Sequence, residues 1–319
     1  MLRLKIARSC GELDKLRTAW ESLWADSKGL TIFQTFAWNR VAACVFGQRQ
    51  QPFVVHAEAS NGAVLLPASV NCKEREVSLI GEKLFDYGDF LQSGNCELID
   101  SAWQETQRLE MAFKLEAVRA DSPHHRWWSS FGTLPFAASP TVGNLSAPDF
   151  QRRHSRSARL LRRLQRAGAN FRQHSGTNLS LLRCIYARKA QQGTYPENIF
   201  CDPLRISFML AIARICPSDF EIFTLETESS VVAAIVTLRD GNVRRFYTTY
   251  FDAAWAPMSP GAALLFEVTR LALEDGLCCD YMTGEQAYKL RLATGTVPLH
   301  RVHVPAAQPT RYSAELQAA

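Results

Sequence analysis

Three stretches of this chain combine residue types that could do chemistry. In Met258-Ser-Pro-Gly-Ala-Ala263, an apolar-leaning strand gives way to a helix start with almost no side chain in the way. Pro260 suits the first helical turn, and Ser259 is an N-cap type residue. Gly261, Ala262 and Ala263 leave the backbone N–H groups bare beside the positive end of a helix dipole. That is an anion site. A second stretch, Arg152 to Arg166, carries seven arginines. At 100° per residue Arg152, Arg156, Arg159, Arg163 and Arg166 form one stripe, with Leu160, Leu161, Leu164 and Ala167 on the adjoining face. Guanidinium forks suit phosphate and carboxylate. The third, Phe85-Asp-Tyr-Gly-Asp-Phe90, sets Asp86 and Asp89 around Tyr87 and a glycine at a strand end. Either carboxylate could take a proton from an amine if burial raises its pKa, and Tyr87 and Trp38 are candidate substrate contacts.

Elements to position these groups are readable from periodicity and turn chemistry. Val231–Leu238 and Val243–Phe251 flank Asp240-Gly241-Asn242, a hairpin signal, and Asn61-Gly62 joins two further strands of a meander. Leu264, Leu265, Val268, Leu271 and Ala272 repeat at helical spacing after Pro260, with Gly276 placed past the helix end. A short strand, Leu277 to Met282, and a helix from about Glu285 follow. The expected order is hairpin, tight loop, helix, strand, helix. Strand alternation puts Tyr247 and Tyr250 on opposite faces, so one of them would face a bound donor. In the first half, helices around 12–24 and 102–114 flank the meander. Leu134 to Phe150, with three prolines and a glycine, reads as a linker.

The chain has 319 residues, 47% hydrophobic and 21% charged, with a net charge of +5, which suits two ordinary soluble domains. No apolar run approaches the roughly 20 residues of a membrane helix. The first residues lack a signal-peptide core, so a cytoplasmic location without membrane insertion is the expectation. Nine cysteines without Cys-x-x-Cys read as reduced thiols, and no metal-ligand spacing is present. Absence of Gly-x-Ser-x-Gly, a Walker loop and Gly-x-Gly-x-x-Gly argues against serine hydrolase, P-loop and dinucleotide chemistry.

The order of elements and the Ser259–Ala263 loop resemble the acyl-CoA half of the GNAT acetyltransferase fold. The GNAT loop reads Arg/Gln-x-x-Gly-x-Gly/Ala, and here Gly261 and Ala263 fit while Met258 stands at the first position. Ser259-Pro-Gly-x-x-Leu-Leu265, Gly276-Leu-x-x-x-Asp-Tyr281 and Gly284-Glu-x-x-Tyr-Lys289 together are similar to the CelD-type (cellulose-biosynthesis-like) acetyltransferases, themselves related to the FemAB peptidyltransferases. The resemblance implies an α+β (α/β layered) fold of tandem GNAT-like domains, with mostly antiparallel central sheets flanked by helices. The expected division is 1–140, 141–305 with the donor-binding loop, and a flexible tail 306–319.

It further implies an N-acyltransferase taking an acyl group from acyl-CoA, or from an acyl carrier protein, to an amine such as an amino sugar or surface-polysaccharide precursor. Ser259 to Ala263 with Tyr247 or Tyr250 would hold the donor. Tyr288 would protonate the leaving thiolate, and Lys289 would stabilise an oxyanion or bind a carboxylate. Arg156, Arg159, Arg163, Asp280 and Glu285 would contact substrate, with Asp280 alternatively pairing with Lys289 or Arg291. Two other readings stand beside this one: an aminoacyl-tRNA-dependent transferase like the FemAB group, whose RNA the arginines would meet, and a non-catalytic scaffold that has kept the fold.

Overall fold

The structure is a computed structural model, and it describes residues 1–306 apart from 82, 96 and 194–197. The expected tail therefore lies almost wholly outside the described residues. In chain order the first elements are β1 (Arg3–Ala7), α1 (Cys10–Asp26), α2 (Phe36–Phe46), β2 (Gln51–Ala59), β3 (Gly62–Asn71), β4 (Glu76–Leu79) and β5 (Leu91–Gly94). Then come α3 (Leu98–Gln107), β6 (Ala112–Arg119), α4 (His125–Ser129), β7 (Thr133–Val142), α5 (Ala147–Arg153), α6 (Ser155–Arg166) and β8 (Asn170–Ser175). The rest are α7 (Leu179–Ala190), α8 (Pro203–Ile215), β9 (Phe220–Glu226), β10 (Val231–Asp240), β11 (Val243–Phe251), α9 (Pro260–Glu274), β12 (Cys278–Asp280), α10 (Ala287–Leu290) and β13 (Gly295–Val304).

The chain divides into two compact units, one of residues 1–136 together with 298 onward, the other Ala137–Val297. The first therefore recovers the C-terminal strand, because β13 from Leu299 to Val304 pairs antiparallel with β6. Its strands run in the order β1-β2-β3-β4-β6-β13, with β5 on β3, and all pairs are antiparallel except β4 with β6. Here α1 begins where Ser9 caps the Glu12 amide, and it buries Leu13, Leu16, Trp20 and Leu23 at helical spacing. Cys10 and Cys44, expected as thiols, are joined in a disulfide that ties α1 to α2. Their Cα atoms stand 6.1 Å apart, within bridging distance, although 34 residues separate them in sequence.

The second unit has the order β7-β12-β11-β10-β9-β8, again antiparallel apart from the β11–β12 pair. One face is covered by α9 and α6, whose Ala158, Leu161 and Leu164 join Ala263, Leu264 and Val268 in a single core. The stretch expected as a linker is largely strand β7, despite Pro135 and Pro140. Its hydrogen bonds explain why. The carbonyls of Pro140 and Ala138 accept from the Tyr281 and Gly284 amides, bonds that a proline can still take part in because it keeps its carbonyl.

Candidate active site

The helix expected after Ser259 is α9, yet the strand does not turn into it directly. A short 3-10 helix, Ala253–Met258, intervenes, opened by Asp252 capping Ala254. Its Trp255 and Met258 pack against the core of the unit. Ser259 then takes a left-handed conformation (φ 51°, ψ 51°) and makes no side-chain cap, an arrangement a non-glycine residue adopts at a cost. Pro260 has no N–H, and the Ala263 amide is used, donating to Ser259 O at 3.1 Å. Ala263 is therefore part of the helix ladder and not a bare donor. Among the described residues, the N–H groups of Gly261 and Ala262 have no acceptor. These two amides are unpaired, Gly261 being a buried residue and Ala262 a half-buried one. Gly261 is buried against β11, where an added Cβ would lie 3.5 Å from Phe251 and 3.8 Å from Thr249.

A register shift alters the faces of β11. Thr248 pairs with Val236 and Phe246 with Thr237, which leaves Tyr247 as the extra residue of a β-bulge. Beyond it Thr249 and Phe251 share the face on which Gly261 sits, as their closeness to the Gly261 Cβ position shows. Tyr250 lies on the other face, its phenol oxygen 3.5 Å from the Arg188 guanidinium of α7. That sets Tyr250 apart from the loop it was expected to serve. The parallel pairing of β11 with β12 covers only Val243–Arg245 and Cys278–Asp280. From there β11 continues to Phe251 without β12 beside it, and the two segments part.

Tyr288, on the single-turn helix α10, is half-buried and hydrogen-bonds the Thr249 side chain. Burial raises its phenol above the ordinary tyrosine value, and the Thr249 bond pulls weakly the other way. A phenol in that state stays protonated at neutral pH and can give its proton to a stronger base such as a thiolate. Lys289 Nζ donates to Thr283 O at 3.1 Å. Glu285 is exposed. Asp280 meets Arg245 of the neighbouring strand. It is buried, takes hydrogen bonds from Arg245, Ser139 and the Met282 amide, and holds the strand junction together. Thr249, which links loop and phenol, belongs to no sequence motif singled out above. Alternation counted back from Phe251 would have found it.

In the other unit the Phe85–Phe90 loop closes inward. Asp89 is 4% exposed. Its carboxylate accepts from the Phe90 amide (2.9 Å), Trp128 Nε1 (3.1 Å) and the Ser122 hydroxyl, with His124 Nδ1 at 3.0 Å. These partners engage both oxygens, so Asp89 ties the loop to the Ser122–Trp128 segment. No local spacing in the sequence marks Ser122, His124 and Trp128 as its partners. Tyr87 is buried with the Arg119 guanidinium 4.7 Å over its ring, and Trp38 is fully buried against Phe33 and Phe85. Asp86 is half-buried. A hollow of only about 10 Å³ is lined by Thr31, Gln34, Tyr87, Asp89, Arg119 and Ser122.

The arginine stripe is interrupted. His154 (φ −110°, ψ 36°) separates α5 from α6, so Arg152 stands on α5, where it pairs with Asp149. On α6, Arg156, Arg159 and Arg163 are exposed, and so are Arg162 and Arg166. Among the described residues, no group of three or more His, Cys, Asp or Glu is placed to hold a metal ion, and no helix is long and apolar enough to cross a membrane.

Residues 151–290 match the family model for the acetyltransferase (GNAT) domain. No curated protein matches the sequence. Among solved structures the chain is similar to L-PGS from Bacillus licheniformis, at 12% identity and TM-score 0.54, covering 94% of this chain and 95% of that one. A tandem GNAT protein from the clavulanic acid biosynthesis pathway aligns at 8% identity and TM-score 0.55, over 97% and 100% of the two chains. FemX aligns at 8% identity and TM-score 0.56, over 90% and 96%. The fold is a tandem GNAT-like fold with mixed sheets flanked by helices. Within its second unit, residues 151–290 are what resembles the acetyltransferase (GNAT) domain.

Proposed function

We propose that the chain is an N-acyltransferase that takes an acyl group from a pantetheine thioester to an amine, using a site in the second unit. The observation that carries this reading is a convergence on Thr249. The unpaired amides of Gly261 and Ala262 lie at the helix start seated on it, and the Tyr288 phenol bonds to it. The amides and the α9 dipole would hold a phosphate of the donor, and the thioester would lie where β11 and β12 part. The amine nitrogen then attacks the thioester carbonyl, forming the C–N bond and releasing its proton to water. As the C–S bond breaks, the thiolate takes the Tyr288 phenolic proton, and solvent restores it. Lys289, the next residue of α10, would meet negative charge developing on the carbonyl oxygen. By the CelD-type resemblance, the acceptor is an amino sugar or a precursor of a surface polysaccharide.

Thermal unfolding with acetyl-CoA, longer acyl-CoAs and free CoA tests the donor. A ligand at about 100 times its dissociation constant should add about 2.7 kcal/mol. No shift with any thioester, together with salt-steep binding of tRNA, would replace this reading with an aminoacyl-tRNA-dependent one.

A further inference from the structure

We infer that the arginine face of α6 is a docking surface for an acidic acyl carrier protein, which delivers the donor to the site as a carrier-bound thioester. The inference rests on the donor-site reading above and names the partner that reading leaves open.

Charge placement is the first argument. Residues 151–166 hold seven arginines and no acidic residue, while the whole chain sums to +5, so the remainder sums to −2 (5 − 7). A protein that binds RNA over a broad surface is expected to be basic over much of it, with a pI above about 9 for the domain. Here the surplus is confined to one short segment. With about 1.5 Å of rise per residue, α6 spans only about 18 Å, the scale of one acidic helix on a small partner.

Pairing is the second argument. Arg17 with Glu21, Arg108 with Glu105, and Arg270 with Glu267 and Glu274 each have an acidic neighbour one turn away, whereas the other exposed helical arginines without one, such as Arg126, Arg183 and Arg214, stand singly. Among the described residues, Arg156, Arg159, Arg162, Arg163 and Arg166 form no ion pair or hydrogen bond through their side chains. Like charges at these spacings repel one another. An external acidic partner would turn that repulsion into complementarity and speed encounter.

Position and phosphate capacity complete the case. The buried side of α6 packs on α9, and the helix also touches the 3-10 turn leading to Ser259, so the helix that carries the arginines neighbours the donor loop. That loop offers two unpaired amides, with Met258 turned into the core. Two amides suit the single phosphodiester of a carrier's pantetheine arm better than the pyrophosphate and ribose phosphate of free CoA.

The test compares the wild-type chain with an Arg156→Glu/Arg159→Glu/Arg163→Glu variant. Three probes are used: an acetylated acyl carrier protein, acetyl-CoA, and an unfractionated tRNA pool. Each is titrated at low and moderate salt, and circular dichroism melting checks that the variant folds. The expected result is carrier binding that weakens with salt and falls by roughly tenfold or more in the variant, with acetyl-CoA binding unchanged. Equal carrier binding by both proteins overturns the inference and leaves the donor-site reading intact, provided acetyl-CoA binds. The same holds if tRNA outcompetes the carrier on the wild type and loses affinity in the variant. If neither thioester binds the wild type, the inference and the donor-site reading fall together.

Discussion

The Phe85–Phe90 loop and the start of α9 both contain a glycine, and both present polar groups of a kind that catalysis uses. Their local composition makes them look equally suited to a site, yet they are finished differently. At Asp89 both carboxylate oxygens meet donors from Phe90, Ser122, His124 and Trp128, and the group is buried. At α9 the side chain that should cap the helix is swung away by the left-handed Ser259, so two amides remain unpaired. The difference teaches that residue type marks where chemistry could occur, while the state of hydrogen-bond satisfaction marks where it can. A saturated buried carboxylate contributes stability, whereas an unsatisfied helix start beside a half-buried phenol is free to bind something else.

The sharpest way to break this contrast is at Asp89. Asp89→Ala removes the acceptor of several buried donors and should cost about 3–5 kcal/mol in urea unfolding. Asp89→Asn keeps one carbonyl oxygen and should cost distinctly less. If Asp89 were instead the proton acceptor, both variants would abolish turnover alike while leaving the unfolding midpoint near wild type. Tyr288→Phe tests the other region. Loss of the phenolic proton should lower kcat by about 10²-fold, with a stability change of about 1 kcal/mol or less from the lost Thr249 bond. A variant with full turnover and weakened stability would make Tyr288 a packing residue like Tyr281, whose hydroxyl bonds Thr269 in the core.

How far these regions were legible follows from the range of the interactions that build them. The Asp240-Gly241-Asn242 and Asn61-Gly62 turns, the apolar stripe of α9 and the amphipathic α6 were readable because each is decided within a few residues. The tandem arrangement of mixed sheets was readable through family resemblance. The bulge at Tyr247 was not, because it exists only in the register of β11 against β10. Asp280 was read against its sequence neighbours Lys289 and Arg291, while its partner Arg245 is 35 residues away on the adjacent strand. The Asp89 contacts and the Cys10–Cys44 bridge fail to show for the same reason: their partners are set by tertiary packing, 33 to 39 residues away for Asp89 and 34 for Cys10.

The smallest effect concerns acid, and it sharpens the comparison between the two units. His56 is buried on β2 of the first unit, and desolvation lowers its pKa, with Glu58 opposing and Lys5 reinforcing that shift. A group whose folded pKa lies below its unfolded value of about 6.5 leaves stability intact above that pH and withdraws it as pH falls toward the folded pKa. The second unit holds a counterweight. Burial raises Asp219 there, so proton uptake by that carboxyl favours the folded form in acid. Burial lowers His154 of the second unit likewise, so as pH falls from 7 to about 5.5 each unit should lose stability through its own desolvated imidazole. Urea titrations at the two pH values should show the loss in the wild type and a flatter response in His56→Gln. An equal pH response in both proteins would mean that His56 takes its proton without opposing the fold.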